Sequence, residues 1–249
     1  MLNQILTVAA KELLDGWRDR RAMVSAALYC LMGPGVVSMV GLTVRESHDG
    51  QPVLIAMMSV FTLVAAFSGG MNVALDCIAG ERERRSLIPL LMHPVTRRDL
   101  LLGKWLAVAA FSAAGLAINL LGFVALFHRV PPPAVAACLI PLALLAAAME
   151  IWVSTLCRGV KEAHTYLSML VFLPMLVGMF MVFSPVAGHG WWKFLPVAGQ
   201  QTLLDAGMRG AKLDPMAMLF LSFGTVILAG MALLAAADRM EQDDVVYGG

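Results

Sequence analysis

The sequence predicts an all-α integral membrane protein of six transmembrane helices preceded by an N-terminal interfacial amphipathic helix, and three observations carry that expectation. Hydrophobic residues make up 59% of the 249 residues and charged residues only 14%, with a mean hydropathy of +0.78; soluble globular domains are far more polar. Six apolar runs each approach the length of about 20 residues that a bilayer core demands. The 18 Lys and Arg residues are unevenly spread: 13 fall before the first run, in alternate connectors and after the last, and five fall in the other connectors. By the positive-inside rule the 13 mark the cytoplasmic side, which puts both termini there.

Residues 1–21 come first. Leu2, Ile5, Leu6, Ala9, Ala10, Leu13 and Trp17 share one helical face, while Gln4, Lys11, Glu12, Asp15 and Arg18 lie largely elsewhere, the pattern of a helix lying on the inner membrane surface. A cleaved signal peptide fits poorly, because no basic segment precedes the apolar residues and they run into Lys11-Glu12. The spans that follow are Ala22–Val44, Val53–Leu75, Trp105–Phe127, Ala134–Leu156, Thr165–Phe183 and Met216–Ala237, within a single domain over 1–249. Gly33-Pro34-Gly35, Gly69-Gly70, Pro141 and Pro174 inside them can kink helices or let helices approach closely. Between the last two spans, Trp191, Trp192 and Phe194 read as interface anchors. The stretch from Pro196 to Gly210 is too polar to span, but carries Leu203, Leu204 and Met208 at helical spacing; it reads as a short helix lying at or dipping into the outer leaflet.

The most informative stretch is the connector after the second span, residues 79–104. It holds Arg82, Arg84, Arg85, Arg97, Arg98 and Lys104 against Glu81, Glu83 and Asp99. Ser86 can cap a short helix that tolerates Pro89 in its first turn and places Leu87, Leu90 and Leu91 on one face. Pro94 ends it. Thr96-Arg97-Arg98-Asp99 reads as a capping-box variant that starts a second helix, with Val95 and Leu100 as its hydrophobic staple, and that helix runs straight into the third span.

Gly80-Glu81-Arg82-Glu83, Ser86-Leu87, Pro89-Leu90-Leu91, Pro94-Val95-Thr96-Arg97-Arg98 and Leu102-Gly103-Lys104 together resemble the first cytoplasmic loop of type-2 ABC exporter permeases. The nearest branch is similar to the sodium-export (Nat) type, with the permease of the nitrous-oxide-reductase maturation system as a shorter relative. The chain departs from the family in Arg85-Ser86, where Gly-Thr is usual, and in Ile88, where Glu is common. The resemblance implies that this loop is a coupling helix docking on a separate ATPase through Glu81, Glu83, Ser86, Leu87, Leu90 and Leu91. It also implies a pair of permease copies in the cell's inner membrane, with ATP and Mg bound by the ATPase and export as the direction. No cofactor in this chain and no nucleic-acid partner is expected.

Other chemistry is absent from the sequence. Gly103-Lys104 is followed by Trp105, and Arg98 stands where the first glycine of a P-loop would be. No HExxH or GxSxG occurs, so no catalytic residue is expected. His48, His93, His128, His164 and His189 are scattered through connectors, and Cys30, Cys77, Cys138 and Cys157 have no CxxC spacing, so no metal site is expected either. The 18 methionines read as adaptable apolar filler. Glu150 is the one charged residue inside a span, and a carboxylate at a helix centre costs about 2.5–3.5 kcal/mol on insertion scales. Two readings stay open for it: a group facing the transport path or the interface between spans, or one that snorkels to Arg158 or stays protonated. The alternative for the whole chain is an ion-coupled secondary transporter or channel, disfavoured because five spans carry no ionisable group.

Overall fold

A computed structural model describes residues 2–44, 50–84, 96–128, 131–183 and 190–241. The elements are α1 (Leu2–Arg18), α2 (Arg20–Val44), α3 (Gly50–Ala74), a π-helical turn (Leu75–Gly80), α4 (Glu81–Glu83), α5 (Arg97–Phe127), α6 (Pro133–Leu156), α7 (Val160–Phe183), a 3-10 turn (Gly190–Phe194), α8 (Ala198–Met208) and α9 (Pro215–Glu241). No strand is present among the described residues, and six of the helical stretches are long and apolar enough to cross a membrane.

Local chemistry sets many of the boundaries. Asp19 ends α1 and caps α2, its Oδ1 accepting the Arg21 and Ala22 N–H groups at 3.0 and 3.2 Å. Thr96 caps α5 by accepting the Asp99 N–H at 3.1 Å. His128 closes α5 in the left-handed region at φ 52°, and Pro132 and Pro133 open α6. Asp214 Oδ1 accepts the Met216 N–H at 3.0 Å, and Pro215 opens α9.

α3 is the innermost span: 78% of its apolar window is buried, against 22% for α2, α7 and α9. It packs chiefly on α5, with α2, α6 and α7 around it, while α9 lies against α6. Small residues make the α3–α5 crossing possible. A Cβ on Gly69 would sit 2.9 Å from the Phe111 carbonyl oxygen and 3.1 Å from Gly115 Cα, so the two backbones touch. Next to this crossing, Asn119 Nδ2 donates to the Cys30 carbonyl at 2.8 Å, and Thr62 Oγ1 donates to Asn119 Oδ1 at 3.2 Å. These bonds tie α2, α3 and α5 together inside the bundle, and all four cysteines are buried.

The helices extend beyond the apolar runs, and the structure shows how the small and polar residues in them pack. The second and third spans do not stop at Leu75 and start at Trp105: helix continues to Glu83 and begins at Arg97. Likewise α7 starts at Val160 rather than Thr165, and α9 runs on to Glu241. Hydropathy ends a span where charges begin, whereas helical hydrogen bonding continues wherever the charges find partners. The Gly33-Pro34-Gly35 segment does not interrupt α2; Gly33 lies against Phe61, and Pro34 against Gly122. Finally, α8 is seated in the bundle with Gln200, Gln201, Leu204 and Met208 buried.

Candidate functional site

The charged end of the bundle is where α1, α4 and the start of α5 converge. Gly103 on α5 lets α1 come close, since a Cβ there would lie 2.6 Å from Val8 Cβ and 2.9 Å from the Ile5 carbonyl oxygen. The next residue, Lys104, is fully buried, its Nζ 2.8 Å from Glu12 Oε1 and 2.9 Å from Glu81 Oε2. Both carboxylates are themselves almost completely buried. Lys11, half-exposed, closes the ring at 3.1 Å from Glu12 and 3.2 Å from Glu81, and reaches Asp15 at 3.5 Å. Partial burial of Lys11 disfavours its charged form, but the Glu12 and Glu81 carboxylates outweigh that and hold the ammonium above its ordinary value. Two lysines and two glutamates, drawn from three helices, thus form one closed charge cluster.

The rest of the charged connector braces helix ends. Arg82 Nη1 donates to the Cys157 carbonyl at 2.9 Å, at the C-terminus of α6. Glu83 Oε2 accepts the Val160 N–H at 2.8 Å, at the N-terminus of α7. Arg97 Nη1 donates to the Met240 and Glu241 carbonyls at 3.0 and 3.1 Å, at the C-terminus of α9, and Arg98 pairs with the Glu241 carboxylate at 3.0 Å. Arg82, Glu83 and Arg97 each bring to the helix end they touch a charge of the sign that end favours. The π turn adds one more tie, with the Ala79 N–H donating to Ser154 Oγ on α6 at 3.3 Å. The exposed Arg84–Asp76 pair at 2.7 Å contributes little, being screened by solvent.

Ser86, Leu87, Leu90 and Leu91 lie outside the described residues, as do Val95 and Pro94. Glu83 is exposed, with one oxygen spent on capping α7. Glu81 has its carboxylate buried and bonded to Lys104 and Lys11, so it ties the connector to α1 and α5. The reason is that α4 continues α3 as helix and keeps Glu81 on the inward face. Of the capping box, only the Thr96 half is formed. Both Asp99 oxygens are buried with no hydrogen-bond partner among the described residues, in the first turn of α5, where helix N–H groups favour a negative charge.

Glu150 on α6 is fully buried and points at Gly70 on α3. A Cβ on Gly70 would lie 2.8 Å from Glu150 Oε2 and against Ser112 Oγ of α5. The two Glu150 oxygens and Ser112 Oγ have no hydrogen-bond partner among the described residues. Arg158, just beyond the C-terminus of α6, is exposed and makes no bond to the Glu150 carboxylate. Glu150 therefore sits at the junction of three spans within one chain, in a space that exists because residue 70 has no side chain.

Sequence reasoning missed Glu12 and Lys104. An amphipathic pattern assigns Glu12 to the water side, and a lone Lys next to an apolar run reads as a boundary residue. The one available signal was Gly103 beside Lys104, a residue that permits close approach of another helix. Gln200 and Gln201 were noted only as part of a polar segment. In the fold Gln200 Nε2 donates to Thr225 Oγ1 of α9 at 2.9 Å, and Gln201 Nε2 donates to the Gly178 carbonyl of α7 at 3.0 Å.

Comparison with known proteins agrees with this architecture. Residues 6–202 match the family described as ABC-2 family transporter protein. The chain is similar to the ABC transporter permease protein NatB of Bacillus subtilis (strain 168), with 38% identity over 156 residues covering 56% of this chain and 40% of that protein. It is also similar to the probable ABC transporter permease protein NosY of Stutzerimonas stutzeri, with 31% identity over 130 residues covering 48% of this chain and 47% of that one. A third relative, NosY of Pseudomonas aeruginosa, is 29% identical over 124 residues, covering 46% and 45%. In each case less than half of the relative's length is spanned.

Proposed function

From its membership of the ABC-2 family of transporter proteins, to which this chain belongs, we propose that it is the membrane-spanning permease subunit of an ATP-driven exporter. It pairs with a second copy in the inner membrane, with both termini cytoplasmic, and a separate ATPase binds ATP and Mg beneath it. The relatives whose names include the word permease support this reading, and an ABC family tells against the ion-coupled alternative.

The main structural support is the bracing of the connector's flanks. Arg82, Glu83 and Arg97 hold the ends of α6, α7 and α9, and Glu81 and Lys104 hold α1. A push on the segment between α4 and α5 is therefore delivered to the whole charged end of the bundle at once. In this mechanism ATP binding draws the two ATPases together, and the docked segments rotate the braced helix ends, alternately closing and opening the path. Leu87, Leu90 and Leu91, with Ser86 and Glu83, supply the docking residues; apolar side chains set between charges suit a partner surface.

Leu90→Arg or Leu91→Arg is expected to insert and dimerise as wild type yet lose the ATPase on co-purification, with a cost of about 2 kcal/mol or more, typical of an interface anchor. Retention of the ATPase with wild-type turnover would overturn the docking role. For Glu150, which would move with the three spans it joins, Glu150→Gln keeps volume and removes the charge. ATP turnover of the reconstituted complex is expected to fall several-fold, about 1 kcal/mol in barrier, with an unchanged thermal midpoint. Normal turnover would leave Glu150 a packing residue.

A further inference from the structure

At the end of the bundle away from the charge cluster, two cavities meet between α3, α7 and α8. The first, of about 420 Å³, is lined by Ser59, Gln201, Thr202, Asp205 and Arg209 together with Val53 and Ala56. The second, of about 290 Å³, shares Val53 and Ala56 and continues along Met57, Phe61, Met175 and Met179. The first mixes polar and apolar lining and the second is apolar, and together they have the volume of a small-molecule site.

The polar cavity has a specific donor and acceptor pattern. Arg209 and Asp205 pair at 2.8 Å, and Arg209 Nη2 also donates to the Pro52 carbonyl at 3.3 Å, which holds the pair over the start of α3. The two charges cancel, so the cavity has no net preference for an anion or a cation. Gln201 is nearly fully buried. Its Nε2 is committed to the Gly178 carbonyl, while its Oε1 is buried with no hydrogen-bond partner among the described residues. A buried amide oxygen left unpaired is costly and calls for a donor. From α7 the apolar cavity is lined by Met175 and Met179, and Leu176, Met179 and Phe180 of the same helix are exposed, where hydrocarbon chains would lie in a bilayer.

We propose that this composite cavity is a binding site for a zwitterionic phospholipid of the surrounding leaflet whose head carries an N–H donor. The ammonium group is taken by Asp205 and Gln201 Oε1, the phosphate faces Arg209, and one acyl chain passes between Val53 and Ala56 into the apolar cavity. The site stands apart from the ATPase-docking reading, since its occupancy needs neither ATP nor a partner.

The full chain, purified in a neutral maltoside and stripped of lipid, is titrated with lysophosphatidylethanolamine, with lysophosphatidylcholine, which matches it but has no N–H donor, and with phosphoethanolamine, which has no chain. Saturable binding of one lysophosphatidylethanolamine per chain is expected, at least tenfold tighter than lysophosphatidylcholine, with no displacement by phosphoethanolamine. Native mass spectrometry before stripping should find one phosphatidylethanolamine retained per chain, which assigns the bilayer as the source. Ala56→Phe, which fills the passage between the cavities, should abolish saturable binding. Asp205→Asn lies at the surface, where folding tolerates it, and should remove the discrimination between the two heads. Unsaturable uptake of both lysolipids alike, or head discrimination that survives Asp205→Asn, would overturn the proposal.

Discussion

Lys104→Met is expected to lower the unfolding free energy by about 3–5 kcal/mol, the usual cost of removing one partner from a buried charge cluster. The Nζ that now lies 2.8 and 2.9 Å from two buried carboxylates is replaced by a thioether, leaving Glu12 and Glu81 facing each other. Only the half-exposed Lys11 then remains to separate them. Because Glu12 belongs to α1, the damage should begin there. Trypsin should cut after Lys11 and Arg18 far sooner than in wild type, and the thermal midpoint in maltoside micelles should fall steeply. The triple variant Lys104→Met, Glu12→Met, Glu81→Met removes all three buried charges and should recover most of the loss, since apolar replacements of a buried ionic cluster are often neutral or stabilising. Were Lys104→Met to melt and resist trypsin like wild type, the cluster would not hold α1 to the bundle.

The next largest effect is expected at the centre of the bundle. Gly69→Val places a branched side chain where the Phe111 carbonyl oxygen and the Gly115 and Ser112 Cα atoms lie 2.9 to 3.2 Å from the Cβ position. All three are backbone atoms, so no side-chain rotation can relieve the clash, and α3 and α5 must separate. A loss at the upper end of the overpacking range, about 3 kcal/mol, is expected. Gly224→Ala on α9 is the matched control: its added Cβ meets nothing within 4 Å, and helix propensity alone favours alanine there by about 0.5–1 kcal/mol. Thermal unfolding of the two variants side by side should move in opposite directions. Equal midpoints would mean that the α3–α5 crossing is not the tight point of the fold.

Much of this protein is legible from local pattern. Six apolar runs give six helices because a segment in hydrocarbon must satisfy its own backbone, and that requirement acts within each run separately. Thr96 as the start of α5 could be read for the same reason: a cap needs only the three residues after it. The concentration of basic residues after the second span marks one end of the bundle without reference to any other helix. So does the reading of Pro196 to Gly210 as too polar to span yet helical.

What tertiary structure alone decided is which charges meet. Glu12 and Lys104 are 92 positions apart, and periodicity fixes the face of one helix without its rotation against another. A glutamate on the polar side of α1 satisfies the pattern equally well in water or against a buried lysine. The same holds for Arg82, Glu83 and Arg97, which read as loop charges until the ends of α6, α7 and α9 are brought beside them. Glu150 shows the limit most directly. Its rarity in the spans was visible, but its surroundings depend on Gly70 and Ser112, two small residues on two other helices whose meeting no stretch of sequence records. Hydrophobic runs are selected against a uniform solvent, the bilayer, and can be read one at a time. Buried polar groups are selected against particular neighbours, and become readable only when the bundle assembles.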